Sequence, residues 1–264
     1  MNFIEAIFLG LVQGLTEFLP VSSSGHLTLL GRVFDMDAQS LFTFTSMVHV
    51  GTLVSVVLIM YKDLLAILRD IFGKRTIRLI IATLPAVVAA VLFGDFIESL
   101  FGGNSLGYEF LATGVILLVM VLLKPKEETE KGVGYKEALY AGLGQAVAIA
   151  PAISRSGSTI AAMLLAGVNR KKAIRFSFLM SVPAILGSFL LDLVDIVKAD
   201  SPVLGDIGIL NMLLGILAAA ISGYLAMNFM IKKLNDKGFL ISAAYVIVLG
   251  TLVLIDQSWT HLVF

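Results

Sequence analysis

The chain of 264 residues is 58% hydrophobic and 14% charged, carries 19 basic and 19 acidic side chains, and contains no cysteine. Its mean hydropathy is +0.96; ordinary soluble domains are about 45–50% apolar, so lipid must solvate much of this chain. Balanced charge without a long basic run excludes a nucleic-acid binder. The lack of thiols excludes disulfides, thiolate metal sites and a cysteine nucleophile.

The first element, residues 2–35, is apolar but broken midway by TEFLPVSSSGHL (16–27). A helix needs about 20 apolar residues to cross a bilayer, and neither half has them. The segment is therefore expected to form a re-entrant helical hairpin. It lacks the basic flank and small-residue cleavage site of a secretory signal, so it is expected to be retained. Three spans follow at about 40–61, 77–99 and 108–124, the second closed at its outer end by Asp95 and Glu98. Residues 136–169 repeat the broken pattern with PAISRSGST (151–159) at the interruption, and further spans lie at about 173–195, 209–231 and 238–257. The expected fold class is an all-α polytopic membrane protein with six transmembrane helices and two re-entrant helical hairpins.

Charge alternates from loop to loop. Lys62, Arg69, Lys74, Arg75 and Arg78 crowd one connection; Lys124, Lys126, Lys131 and Lys136 crowd the next. Arg170, Lys171, Lys172 and Arg175 form a third group, and Lys232, Lys233 and Lys237 a fourth. The stretches 32–39, 100–107 and 196–208 hold only Arg32 and Lys198. The positive-inside rule puts the basic connections in the cytoplasm and both termini outside. A shift of 132 residues lays EAIFLGLVQ (5–13) on EALYAGLGQ (137–145), Ser22, Ser24 and Gly25 on Ser154, Ser156 and Gly157, and Phe44 on Phe176. Equivalent loops then fall on opposite sides of the membrane. Residues 1–132 and 133–264 read as an inverted-topology repeat within one structural domain, with the two polar tips facing each other.

Gln13 and Glu17 are one turn apart and share a helix face. Pro20 ends that helix, and Ser22, Ser23, Ser24, Gly25 and His26 open the next. An ionisable residue inside a membrane is costly and points to function. The second tip carries Arg155, whose planar fork suits phosphate. Around it stand Ser154, Ser156, Gly157, Ser158 and Thr159, where small residues at a helix start leave N–H groups free for an anion. Together the tips offer an anion cradle, a hydroxyl nucleophile and an acid–base pair, the inventory of a phosphoryl-transfer site. The plainer alternatives are capping and close packing for Ser22, Gly157 and Ser158, and a structural ion pair for Glu17 and Arg155. His49, alone in an apolar span, is equally compatible with a satisfied interior imidazole and a site-lining role. His261 is expected to be uninvolved.

At these two tips the sequence resembles the undecaprenyl-diphosphate phosphatases associated with bacitracin resistance. That family's first motif is an acidic or amide residue, three intervening residues and a glutamate, matched by Gln13-Gly-Leu-Thr-Glu17 running into FLPVSSSGH. Its second, usually PGxSRSxxT, is matched by Pro151-Ala-Ile-Ser154-Arg155-Ser156-Gly-Ser-Thr159. The resemblance covers nearly the whole chain. It implies hydrolysis of undecaprenyl diphosphate to the monophosphate and phosphate, recycling the lipid carrier for peptidoglycan and other wall polymers. It places the protein in the bacterial inner membrane with its site facing the periplasmic side, and bacitracin acting on it only indirectly, by competing for substrate. Ser23 resembles the attacking hydroxyl, with His26 as its base or, in a rival scheme, as the nucleophile itself. Glu17 and Gln13 resemble ligands of a divalent metal, magnesium or calcium, or positioners of water. Arg155, with Ser154, Ser156, Thr159 and Ser24, resembles the diphosphate clamp. A homodimer is compatible with the chain, but no motif requires it.

Two positions depart from the family pattern. Gln13 stands where glutamate is frequent, which removes one anionic ligand. Ala152 replaces the usual glycine and would be strained if that position needs φ > 0. Inverted repeats of broken helices are also transporter architecture, so a polyprenyl-phosphate transporter or flippase is the competing reading. Glu17, Ser23 and His26 lie within ten residues and favour chemistry, because transport needs neither nucleophile nor base.

Overall fold

The computed structural model describes residues 1–100, 103–125, 129–198 and 207–264. Lys126 and the side chains of Asp95 and Glu98 lie outside the described residues, as do residues 199–206 of the 196–208 stretch. The described chain is all helical. In order it forms α1 (Phe3–Phe18), α2 (Ser23–Val33), α3 (Ala38–Arg69), α4 (Lys74–Leu100) and α5 (Leu106–Leu123). Then come α6 (Tyr135–Val147), α7 (Arg155–Leu165), α8 (Arg170–Lys198), α9 (Ile209–Lys233) and α10 (Asp236–Ile255).

Six of these, α3, α4, α5, α8, α9 and α10, are long and apolar enough to cross a membrane. The protein is an integral, multi-pass membrane protein. The other four have 16, 11, 13 and 11 residues. At about 1.5 Å per residue none reaches across a hydrocarbon core of about 30 Å. The largest departure from the expected spans is α3, which runs to Arg69 rather than stopping near residue 61. Polar residues end a hydrophobic stretch without ending a helix. Asp63 in that extra length is held by Arg175 at 2.6 Å and Arg75 at 3.7 Å.

The short helices pack in matching ways. α1 lies on α2 and α9, while α6 lies on α7 and α4. Exchanging the first five helices for the last five turns the α3–α9 contact into α8–α4 and α2–α3 into α7–α8, and maps α3–α8 and α5–α10 onto themselves. Small residues allow the closest approach: a Cβ on Gly14 would stand 2.3 Å from Ala219 O of α9, so that contact is backbone on backbone. Equivalent glutamates close equivalent helix starts, Glu5 accepting from Asn2 N at 2.8 Å and Glu137 from Gly134 N at 3.0 Å.

The two ends of the bundle differ. Ion pairs Arg175–Asp63, Lys131–Glu137, Lys124–Asp236 and Arg170–Asp236 knit the basic connections together at one end. At the other end Arg32 stacks over Phe264, and Asn211 donates to Met1 O at 2.9 Å. The largest buried cluster, containing Phe18, Met120, Phe178 and Phe239, draws on both halves and fixes the short helices against the long ones.

Candidate active site

Proline sets where α1 stops. The residue before a proline is steered away from the α region; Leu19, before Pro20, is extended (φ −64°, ψ 145°) and ends α1. Each following helix opens on a serine cap, Ser22 Oγ accepting from Gly25 N at 3.3 Å and Ser154 Oγ from Gly157 N at 3.1 Å. The two connections then meet. Ser24 Oγ accepts from Ala152 N at 3.2 Å, and Ser156 Oγ donates to Leu19 O at 3.1 Å. Thr113 of α5 locks the second connection, donating to Ala152 O at 3.1 Å and accepting from Ser154 N at 3.0 Å. Ala152 has φ +56° and Ser22 has φ +72°. The departure from glycine at Ala152 therefore carries a left-handed backbone, at a cost of roughly 1–2 kcal/mol.

Glu17 is the hub. Arg155 Nη2 donates to its Oε1 at 2.7 Å, and Ser23 Oγ donates to its Oε2 at 2.6 Å. Gln13 Nε2 reaches the same Oε2 at 3.3 Å, and His49 Nε2 lies 3.7 Å from it. A carbonyl can only accept, so the 2.7 Å contact of His49 Nδ1 with Thr45 O places the proton on Nδ1 and leaves Nε2 facing the site. Arg155 Nη1 also donates to Ser177 O at 3.3 Å. One carboxylate thus joins a serine from one half to an arginine from the other.

These groups line a cavity of about 510 Å³. Glu17, Ser22, Ser23, Ser24, Ser154 and Arg155 face it, with α4 and α8 forming its apolar walls. The starts of α2 and α7 both border it, bringing first-turn N–H groups and two positive helix ends to one space.

Other sequence-derived candidates lie outside this lining. His26 Nδ1 donates to Ser22 O at 2.6 Å, so its Nε2 accepts from Tyr245 OH at 2.7 Å. Its ring stacks on Tyr245 and meets Phe110 edge-on. Both nitrogens are therefore committed away from Ser23, and the imidazole braces the strained Ser22 against α10. Thr159 is fully buried, donating to Arg155 O at 2.8 Å and sharing a 2.7 Å contact with Ser177 Oγ. It holds the first turn of α7 from beneath. Ser156 joins the hairpins rather than facing the cavity. Gln13 is fully buried one turn behind Glu17.

Among the cavity-lining residues that the sequence did not single out as site groups are Gln145 and His49, the latter equally compatible there with an interior imidazole. Gln145 Oε1 is buried with no hydrogen-bond partner among the described residues. The repeat held the signal for it, since the 132-residue shift lays Gln145 on Gln13.

For a divalent metal the fit is of one kind only. The described residues contain no group of three or more His, Asp or Glu able to cage an ion. Gln13 Oε1, however, is a buried oxygen without a partner among the described residues, beside the Glu17 carboxylate. Of the two only Glu17 lines the cavity, so a hard cation in contact with substrate would be held there by one carboxylate, its remaining ligands being substrate phosphate and water.

The family described as bacitracin resistance protein BacA matches residues 6–252, from the first hairpin into α10. The chain belongs to the BacA family. Its relatives include the undecaprenyl-diphosphatase of Carboxydothermus hydrogenoformans, 41% identical over 259 residues and covering 98% of both chains. Undecaprenyl-diphosphatase 4 of Bacillus cereus is 42% identical over 97% of this chain and 98% of its own. The undecaprenyl-diphosphatase of Bacteroides thetaiotaomicron is 38% identical over 97% of this chain and 100% of its own. Both polar tips fall within the family match.

Proposed function

We propose that this BacA-family protein is an integral membrane undecaprenyl-diphosphatase, releasing phosphate from undecaprenyl diphosphate and returning undecaprenyl phosphate to wall polymer synthesis. The activity is the one named for its relatives in Carboxydothermus, Bacillus and Bacteroides. The observation that carries it is the Ser23–Glu17–Arg155 bridge at the cavity wall. A binding cradle for transport needs the arginine; it does not need a hydroxyl hydrogen-bonded to a carboxylate.

In the reading this geometry supports, the terminal phosphate enters the cavity and takes up donors of Arg155 and the N–H groups at the starts of α2 and α7. Ser23 Oγ attacks the terminal phosphorus while its proton passes to Glu17 Oε2. The bridging P–O bond breaks, and the prenyl monophosphate leaves with the bridging oxygen. Water then attacks the phosphoserine, giving inorganic phosphate and restoring the Ser23 hydroxyl. Arg155 holds the negative charge that gathers on the phosphoryl oxygens. Glu17 would hold a magnesium or calcium ion, which would neutralise phosphate charge, with Gln13 behind it steadying the carboxylate. His26 acts as a brace on the tip.

The reading extends to topology. The paired packing of the two sets of five helices and the meeting of the two tips support re-entrant hairpins in an inverted repeat of residues 1–132 and 133–264. The ion-paired basic end is assigned to the cytoplasm, which puts the mouth of the first hairpin on the periplasmic side of a bacterial inner membrane. All the groups of the site come from one chain, so a homodimer is not needed for chemistry. Bacitracin bears on the protein through competition for its substrate.

The test is phosphate release from undecaprenyl diphosphate by the purified protein in detergent, with magnesium, calcium or chelator. Detergent abolishes any transport signal, so release there is hydrolysis. No release with any divalent ion would leave the transporter reading in its place.

A further inference from the structure

Alongside the polar cavity runs a second and larger cleft of about 840 Å³ between α3, α4 and α8. It lies near the top of the range for ligand cavities, roughly 300–1,000 Å³. Thr83, Val87 and Pro183 border both spaces, so the two are immediate neighbours. From that junction the cleft follows α4 back to Thr76 and α3 forward to Leu68, toward the ion-paired basic end. Its wall is aliphatic apart from Tyr61, Thr76 and Thr83. Thr83 spends its hydroxyl proton on Leu79 O at 2.8 Å, leaving the junction itself nearly apolar. Val57, Leu65, Ile80, Leu84 and Leu186 are exposed along it, so it is open along the flank of the bundle.

We infer that this cleft is the binding track for the polyprenyl chain of the substrate, entered from the head-group cavity through Thr83, Val87 and Pro183. The inference rests on the proposed phosphatase function and deepens it. A diphosphate held by Arg155 must carry its chain out of the cavity, and the apolar cleft is the neighbouring space, reached past Thr83, Val87 and Pro183. Lipid tails solvate a prenyl chain as well as leucine does, so the track contributes direction and shape rather than hydrophobic free energy. It selects for length, because only a long chain reaches the stretch between Leu68 and Thr76.

The test compares Leu65→Trp and Leu68→Trp, both at exposed positions toward the far end of the cleft, with the unmodified protein on undecaprenyl and farnesyl diphosphates in the same detergent. The ratio of kcat/KM for the long over the short substrate should fall about tenfold, the low end of shape discrimination in an apolar pocket, with the farnesyl value retained. An unchanged ratio overturns the track. A second measurement does not depend on turnover: a long-chain polyprenyl phosphate bearing a diazirine near its far end, photolysed with the full-length protein. Labelling confined to peptides containing residues 57–68 and 76–84 supports the track even if no phosphate is released, in which case the phosphatase reading alone fails. Equal labelling of all lipid-facing helices, or equal labelling by a phospholipid with the same diazirine, shows an ordinary lipid annulus and overturns it.

Discussion

Ser23 Oγ donates to Glu17 Oε2 across 2.6 Å. No other ionisable group among the described residues is so placed to receive its proton, because His26 is committed to Ser22 O and Tyr245 OH. The choice between serine and histidine as nucleophile, open in the sequence, is argued by this contact in favour of serine. Ser23→Ala should abolish turnover, and Glu17→Gln should lower kcat by roughly 10²–10⁴, the usual weight of a general base. Rapid quench and mass spectrometry should find phosphate on Ser23. Phosphohistidine at His26, or substantial turnover in Ser23→Ala, would refute the assignment.

Arg155 has two tasks that substitutions can separate. It is the cation paired with the buried Glu17, and its fork is the proposed phosphate clamp. Arg155→Ala leaves a buried carboxylate without its partner, a change that costs about 3–5 kcal/mol where both groups are desolvated. Arg155→Lys keeps the charge but loses the planar fork. The lysine variant should therefore unfold in detergent near the temperature of the unmodified protein, while its kcat/KM falls by roughly 10²–10³, as when a transition-state donor is lost. Near-normal kcat/KM in the lysine variant would reduce Arg155 to a structural counter-ion.

The long-range plan was legible because lipid imposes it: apolar runs too short to span, broken by Pro and Ser, have few other forms. Six spans, two interrupted segments and the polar tips could be read from composition and spacing. What could not be read was direction. Gln13, Ser23, His26 and Thr159 all lie near an interruption, yet only Ser23 of these faces the cavity. A side chain's heading at a helix start depends on the φ of one cap residue, and nothing in the local sequence announces the φ of +72° at Ser22, whose carbonyl is held by His26 and, through it, by Tyr245 of α10. His49 and Gln145 were obscured for the opposite reason: each sits in an apolar run where the bland reading is usually right.

The tip-to-tip contact predicts opposite outcomes for two small residues. Gly25→Ala would place a Cβ 2.7 Å from Ala152 Cβ and 2.7 Å from Phe110 Cζ, so the hairpins must part. Activity should drop sharply and the melting temperature with it. Ala152→Gly relieves a left-handed residue worth roughly 1–2 kcal/mol. Against that it gives up one buried methyl, about 0.8 kcal/mol, and adds backbone freedom to the unfolded chain of about 0.4–1 kcal/mol. The terms nearly cancel, so stability should change by less than about 1 kcal/mol and activity should persist. A large destabilisation in Ala152→Gly would mean that the methyl contact, not the backbone, governs the tip.

Gln145 carries the last prediction. Its carboxamide is 4% exposed, borders the cavity, and leaves Oε1 without a partner among the described residues. An unsatisfied buried amide costs roughly 1–3 kcal/mol on the scale of protein mutations, so a residue kept only for packing would be better as methionine. Its NH₂ is not among the buried atoms without a partner, so on a residue that borders the cavity it is the group free to donate to a phosphate oxygen. Gln145→Met should then hold or raise the melting temperature in detergent while raising KM for the diphosphate, and Gln145→Glu should raise KM further through repulsion between anions. An unchanged KM in both variants would show that the amide faces the cavity without touching what fills it.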